Sequence, residues 1–332
     1  MTAPTSPGPM TGNPALGIGF VLLGVTAISI NDMLIKQLSG GYPLHQMVFI
    51  RSGIGIFFSL MLVQMEGGLA ILRTKRPLLH LARGLLVVLS NMTFFGALAV
   101  LPLADATALF FVAPLMITLL SIPMLGEKVG PMRLGAVVVG LMGVVIMMKP
   151  WQSAGALEVS RAVLLLPVAA ALTYALFQIL TRKLGASTRA SAMAVYIQGI
   201  FMIVSLGVYA VAGDGHLADG VENASLVFLL REWVWPQGTD IWLFLGLGLN
   251  SAVIGYSLSQ AYRLTDAATV APFEYVGLPL AVFWGWIIWG DLPDLAVTAG
   301  IVLIVGSGLF VFLRERQRKR RLVSAQRVHR RY

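Results

Sequence analysis

The sequence contains no cysteine. Disulfides, thiolate metal sites and cysteine nucleophiles are therefore excluded, and nothing follows about compartment. Histidine is almost as scarce, at four residues. His45 and His80 stand singly near predicted helix ends with no second histidine one turn away, which argues against a metal site. No Gly-Lys-Ser/Thr phosphate loop occurs, so direct drive by ATP within this chain has no support. Gly306-Ser307-Gly308 has no histidine deep inside the apolar segments, away from their ends, to serve as its base, and a membrane protease with paired aspartates would need a second buried Asp beside Asp32. The residues therefore point away from an enzyme, and no metal or cofactor is expected. Charge is thin as well: 12% of the chain is charged, against about 25% in an average soluble domain.

What fills the chain instead is apolar residue, 57% of the total. Windows of twenty or so such residues recur, and about 20 residues at 1.5 Å each span the hydrocarbon layer of a bilayer. Ten windows can be read: 15–36, 43–65, 78–100, 104–124, 131–149, 161–182, 189–212, 240–262, 267–290 and 294–313. The predicted class is an all-α integral membrane protein with ten transmembrane helices. The Pro/Ser/Gly-rich residues 1–14 lack the basic start and short apolar core of a secretory signal and read as a disordered lead-in.

The net charge of +9 is unevenly placed. Of 24 Lys and Arg, nine fall in the tail 314–332, directly after the last apolar window. With ten spans both termini share a side. On that side lie Arg73, Lys75, Arg76, Lys128, Arg133, Arg182, Lys183, Arg189, Arg263 and the tail, against Lys36, Lys149, Arg161 and Arg231 on the other. The positive-inside rule then puts both termini in the cytoplasm, with the chain in the inner (plasma) membrane. The tail reads as a topology anchor and a contact for anionic lipid, not a nucleic-acid site, because no aromatic residue interleaves its basic run before Tyr332.

The two halves echo each other. Residues 101–143 and 262–308 both start on Asp-Ala (Asp105, Asp266), pass through Ala-Pro (Ala113-Pro114, Ala271-Pro272) and reach Gly-acid (Gly126-Glu127, Gly290-Asp291). Both then finish on paired glycines (Gly135 and Gly143, Gly300 and Gly308). Five spans per half is an odd number, so equivalent segments cross the membrane in opposite directions. The expected units are two inverted five-helix repeats, 15–150 and 161–313. Such repeats characterise secondary transporters, whose sites lie near the midplane where Pro- or Gly-interrupted helices occupy corresponding positions. The fourth and ninth spans, with Pro114 in one and Pro272 and Pro279 in the other, meet that description. Between the seventh and eighth spans, SLVFLLREWVWP reads as an interfacial amphipathic helix, either an anchoring loop or a gate.

Charges inside apolar spans need a partner or a water-filled cavity. Asp32, Lys36, Arg51, Arg83 and Glu274 are the candidates. Asp105 and Asp266, at helix starts, read as caps, and Glu127-Lys128 as a turn. Asp32 and Arg51 can face each other across a short loop, as a structural ion pair or as part of a substrate site or outer gate. Arg83, nearer the cytoplasmic edge, is expected to snorkel to headgroups. Glu274 stands between Pro272 and Pro279, each of which removes a backbone donor and leaves carbonyls free to face a cavity. It is either a hydrogen-bonded structural glutamate, kept neutral, or a group that binds a cation or exchanges a proton in a transport cycle. Tyr174 with Gln178, Tyr256 with Gln260, and Asn250 with Ser257 recur at helical spacing and mark faces that line a cavity or bond neighbouring helices. Asn91 and Tyr275 complete the candidate substrate-binding set. The cavity is expected between the halves, among the third, fourth, eighth and ninth helices.

With the doubled arrangement over residues 15 to 314, the Gly126-Glu127 to Gly135 pattern and the proline in the middle of the preceding helix, the chain resembles the drug/metabolite transporter superfamily, in its EamA-type branch. SINDMLIKQLSG (29–40), HLARGLLVVLSNMTFFGAL (80–98) and MKP (148–150) resemble the subgroup of S-adenosylmethionine uptake carriers. The resemblance implies a ten-helix carrier of a small polar metabolite such as an amino acid, vitamin or nucleoside-like compound. It would work by alternating access, by exchange or with a coupling proton or ion, and without a bound cofactor. A homodimer is left open, as is the alternative of a passive channel or a membrane scaffold. The second repeat departs by offering Asp291 where Glu is usual, and no substrate role is carried over to it.

Overall fold

The structure is a computed structural model that describes residues 14–126, 130–149, 151–152, 159–185, 188–264 and 273–329. All regular structure among these residues is helical. In chain order the helices are α1 (Pro14–Leu38), α2 (Leu44–Glu66), α3 (Pro77–Leu98), α4 (Leu103–Phe110), α5 (Ala113–Leu125), α6 (Pro131–Met147) and α7 (Arg161–Gly185). They continue with α8 (Ala190–Ala212), α9 (Ala224–Leu230), α10 (Asp240–Leu264), α11 (Gly277–Trp284), extended by a π turn Gly285–Trp289, and α12 (Leu295–His329). Seven are long and apolar enough to cross a membrane, counting α4 and α5 together as Leu103–Leu125, and Leu134–Met147, Gly277–Trp289 and Leu295–Phe310 are shorter apolar helices. Each apolar window read from the sequence overlaps one of these, the window 267–290 only from Gly277 onward.

The helix ends follow local chemistry. Pro43 precedes α2 in an extended conformation, and Pro77 and Pro131 occupy the first turns of α3 and α6, where a missing N–H costs nothing. Gly67 (φ 141°) closes α2, while Gly126 (φ 70°) and Gly290 (φ 73°) close α5 and the π turn in the left-handed region open to glycine.

Two of the segments read from the sequence as spans are broken midway. In the fourth, α4 stops at Phe110, a turn occupies Phe111-Val112, and α5 resumes at Ala113. Pro114, in the first turn of α5, supplies the cause, since it has no N–H to offer the Phe110 carbonyl one turn back. In the ninth, the helical turn at Phe273-Glu274 gives way at Tyr275-Val276 before α11 begins at Gly277. Pro279, exposed and in the first turn of α11, begins that helix instead of interrupting it.

The helices pack in a consistent set of pairs: α1 on α10, α3 on α7, α2 on α8, and α6 on α12. The broken spans fill the middle, α4 and α5 against α7, and α11 against α1 and α4. The largest buried cluster runs through α1, α2, α3 and α7. Outward faces carry large apolar residues such as Phe57, Ile203 and Val302, as lipid contact requires.

Three expectations are corrected. SLVFLLREWVWP is helical only over Ala224–Leu230, capped by the Asn223 side chain, which accepts from the Leu226 N–H at 3.2 Å. Beyond Arg231 the chain has no regular structure and is held against α2: Trp233 lies 5.4 Å from Phe49 and 5.8 Å from His45, and Gln46 donates to the Val234 carbonyl at 2.6 Å. Arg83 does not snorkel. It is buried at the α3–α7 contact, donates to Thr181 Oγ1 at 2.7 Å and lies 4.8 Å from the Phe177 ring centre, a cation–π site that replaces headgroup contact. Asp105 sits in the first turn of α4 but accepts no capping bond, since Pro102 holds the cap position; Asp266 and Glu127-Lys128 lie outside the described residues.

Candidate functional site

A cavity of about 320 Å³ lies where the two broken spans meet. Its walls come from α1, α3, α4, the start of α5, α10 and α11, with Arg51 reaching in from α2 and Tyr174 from α7. The sequence reading placed it among the third, fourth, eighth and ninth helices. The structure adds α1 as a full wall, because the α1–α10 pairing swings Val25 to Asp32 into the centre.

Five of the predicted residues line it: Asp32, Arg51, Asn91, Tyr174 and Glu274, together with Pro114. They are arranged differently from the expected Asp32–Arg51 contact. Asn31 stands between the two: its Nδ2 donates to Asp32 Oδ1 at 3.1 Å, and its Oδ1 accepts from Arg51 Nη1 at 3.3 Å. Arg51 Nη2 donates to Asn91 Oδ1, also at 3.3 Å, and the Phe201 ring lies 5.5 Å from the guanidinium. The buried cation is thus held by two amide oxygens and a ring face, and the carboxylate shares the Asn31 amide with it instead of bonding to it directly. An amide serves here because it offers an acceptor and a donor at once. Two of the five guanidinium N–H donors are engaged in these bonds.

On the opposite side, Gln178 Nε2 donates to Tyr174 Oη at 2.6 Å, which leaves the phenol its own proton to donate. Glu274 is close enough to act electrostatically on the hydroxyls of Tyr174 and Tyr275. Four phenylalanines, Phe94 and Phe95 from α3 and Phe110 and Phe111 at the α4 break, form the apolar part of the wall.

The remaining predicted residues serve other places. Asn250 donates to the Ala27 carbonyl at 2.5 Å and so ties α10 to α1, while Ser257 is fully buried. Tyr256 packs edge-on against Phe20 at 5.9 Å on the outer surface. The Tyr275 ring lies 5.5 Å from that of Phe111, so the residues at the two helix breaks touch each other. Gln178 is one bond removed from the cavity, and Pro279 faces away from it. The Gln260 side chain and Pro272 lie outside the described residues.

Sequence reasoning missed Ser29, Asn31, Thr107 and the four phenylalanines. Asn31 was legible as the neighbour of Asp32, and Thr107 as the residue one turn before Phe111. Neither carries a charge to draw notice. Lys36, near the end of α1, does not line the cavity: its ammonium donates to the carbonyls of Leu101 (2.6 Å) and Leu98 (3.4 Å) and lies 5.2 Å from the Trp289 ring centre. Among the described residues no cluster of His, Cys, Asp and Glu is placed to hold a metal ion.

An α-helical membrane protein that keeps ionisable side chains around a cavity between broken helices belongs structurally with transporters. Comparison with known proteins agrees. The model of the EamA-like transporter family matches residues 15–149. A riboflavin transporter of Rhizobium johnstonii is 32% identical over 305 residues, covering 92% of this chain and 91% of that protein. An S-adenosylmethionine uptake transporter of Rickettsia felis is 27% identical over 91% of this chain and 94% of its own length, and the pseudopaline exporter CntI of Pseudomonas aeruginosa is 29% identical over 87% and 93%. A solved crystal structure at 20% identity shares the fold, with a TM-score of 0.61 over 90% of this chain and 98% of its own. The chain belongs to the EamA-like transporter family, and it is a transporter and not an enzyme.

Proposed function

We propose that the protein is a ten-span secondary carrier that moves a small polar metabolite through this cavity by alternating access between two inverted five-helix halves, 15–150 and 161–313. The observation that carries this reading is the meeting of two similarly broken spans at the cavity. Both second segments, Ala113–Leu125 and Gly277–Trp289, end on a left-handed glycine, and the breaks at Phe111-Val112 and Tyr275-Val276 pack against each other. In this register Pro114 corresponds to Leu278, one residue before Pro279, in place of the Pro114–Pro272 match read from the sequence. Helix pairing supports the same relation. Exchanging each helix for its counterpart in the other half turns α1–α10 into α7–α3, and returns α2–α8 and α6–α12 onto themselves.

In this reading Asp32, Arg51, Asn91, Tyr174 and Glu274 contact substrate, Gln178 orients Tyr174, and Glu274 carries the coupling proton. The tail 314–332 meets anionic lipid on the cytoplasmic side with both termini. Relatives named for riboflavin, S-adenosylmethionine and pseudopaline support a metabolite of vitamin or nucleoside-like size. They include both an uptake transporter and an exporter, so direction is not carried over from them.

Counterflow in proteoliposomes tests the reading. A carrier preloaded with unlabelled substrate accumulates labelled substrate transiently and saturates, and Glu274→Gln removes the pH dependence of net uptake while leaving the protein folded. Flux that neither saturates nor shows counterflow identifies a channel instead. Impermeant maleimide tests orientation on the cysteine-free chain: a cysteine at Gly215 labels in intact cells, one at Gly68 only after lysis.

A further inference from the structure

The paired helices α1 and α10 form one wall of the cavity, and α3, α4 and α7 form the wall facing it. Between these walls α1 meets α3 and α4 at few points. Lys36 makes one of them. Its ammonium reaches from α1 to the carbonyls of Leu98, the last residue of α3, and Leu101, just before α4, and lies against the Trp289 ring at the end of the π turn. A single side chain thus touches the entrance to one broken span and the far end of the other.

The level of this contact follows from helical rise. Asp32, Thr107 and Ala281 line the cavity. Lys36 lies one turn, about 6 Å, beyond Asp32 in α1. Asp105 lies on the Leu101 side of Thr107, and the π turn starts one turn after Ala281. All three elements therefore bring these residues to the same end of the cavity.

Charge and irregular backbone collect there too. Asp105 is within electrostatic reach of Lys36, Lys149, Asp291 and Asp294, and Lys36 within reach of Asp105 and Asp291. Lys149 pairs with Asp294 and is the one non-glycine among the described residues with a positive φ, 45°. A residue with a Cβ stays in that region only where its surroundings hold it, and both this and a π turn recur at positions that work. Lys36 is half-buried and carries three rotatable donors on a flexible stem, so water can take the place of the carbonyls it leaves. Capping α3 uses only the two carbonyls. The Trp289 ring and Asp291 belong to the second broken span, which a cap does not involve.

We propose that Lys36 is a releasable latch that closes the cavity at this end, holding α1 to the α3–α4 junction and to the π turn, with Asp105 and Asp291 keeping the ammonium in place. The conformation described is the one latched at that end. The proposal rests on this cavity being the transport site and adds the contact that shuts it on one side.

The cysteine-free chain allows a direct test. Ile28→Cys puts a thiol in the cavity wall, and impermeant maleimide is applied to the full-length protein from each face of the membrane, in intact cells and in inside-out vesicles. Gly215 marks the Lys36 face, since it packs beside Glu232 and the adjoining Arg231 donates to the Gly40 carbonyl. With Lys36 intact, the thiol labels slowly from the face where a cysteine at Gly215 labels. Lys36→Met keeps the stem, removes the ammonium and raises that rate about five-fold or more, and Asp291→Asn raises it about two-fold or more, as a shift toward the unlatched state requires. Lys75→Met, an exposed lysine elsewhere, leaves the rate unchanged. Unchanged labelling in both Lys36→Met and Asp291→Asn overturns the latch, and a lowered melting temperature without a change in labelling assigns Lys36 to capping α3 alone. If Lys36→Met fails to reach the membrane, Asp291→Asn, which leaves both carbonyl bonds in place, decides by the same reading. Labelling needs no ligand, so it fails separately from the carrier reading: counterflow with unshifted labelling keeps the carrier and sinks the latch, whereas shifted labelling without counterflow keeps the latch and sinks the carrier.

Discussion

Replacing Asn31 by leucine distinguishes the bridged arrangement from a direct Asp32–Arg51 ion pair. Asn31 is 4% exposed and makes two hydrogen bonds, one to a carboxylate and one from a guanidinium. Bonds to charged groups contribute about 1.5–3 kcal/mol each, so Asn31→Leu is expected to cost about 3–5 kcal/mol once the partial access of both charges to the cavity is allowed for. Asn91→Leu removes one bond to Arg51 and the bond that Asn91 itself donates to the Val87 carbonyl at 3.1 Å. It is expected to cost about half as much, because one bond involves a charge and the other is neutral and on the same helix. Asp32→Asn removes a carboxylate that makes no direct bond to Arg51, so its cost falls below the roughly 3–5 kcal/mol of breaking a direct buried pair. Thermal unfolding of purified protein in detergent, read by tryptophan fluorescence and by loss of the monodisperse peak on size exclusion, gives the order of the three. The expected order is Asn31→Leu most damaging, then Asn91→Leu and Asp32→Asn. A neutral Asn31→Leu beside a severe Asp32→Asn refutes the bridge and restores the direct pair.

Where α6 crosses α12, a Cβ on Gly300 would lie 2.9 Å from the Gly143 carbonyl oxygen and against Met147, and one on Gly143 would lie 2.9 Å from the Gly300 carbonyl oxygen. Gly300→Ala gains about 1 kcal/mol of helix propensity and loses about 1–3 kcal/mol to overpacking against backbone that cannot step aside. A lowered melting temperature with unchanged affinity per folded molecule is expected, since neither helix lines the cavity, and an unchanged one shows that the crossing is looser. Asp294 caps α12, accepting from the Val297 N–H at 2.8 Å, and pairs with Lys149. Partial burial acts to raise its carboxyl, but the bonds from Lys149 and Val297 outweigh this and hold it below the ordinary carboxylate value. With the folded value depressed, its contribution is complete above about pH 4 and is lost as pH falls through the folded value. Asp294→Ala therefore costs about 1 kcal/mol of cap energy at neutral pH, and that difference from the parent shrinks in acid. A difference that grows in acid refutes the assignment.

That the apolar windows are helical was legible in the sequence for one reason. Backbone in hydrocarbon must satisfy its own hydrogen bonds, so a run of about 20 apolar residues has little choice but helix, and proline and glycine mark its ends. The two midway breaks were legible in kind: Pro114 announces the first, and the repeated pattern points to the second. The sequence also carried Asp32, Arg51 and Glu274, because a charge in such a run has to be accounted for. Which faces look inward was decided only by tertiary structure. Lipid and neighbouring helices are equally apolar, so a membrane helix lacks the polar stripe that marks a solvent face. Asn250 and Tyr174 look alike in sequence, yet one is used up on the Ala27 carbonyl and the other meets the cavity. Ser29 and Thr107 line the cavity while the equally unpaired Ser52 and Ser257 do not, a difference set by packing and not by residue type. The insertion of Asn31 between Asp32 and Arg51 likewise depends on how far apart α1 and α2 are held by α10, a distance set by packing between segments remote in the chain.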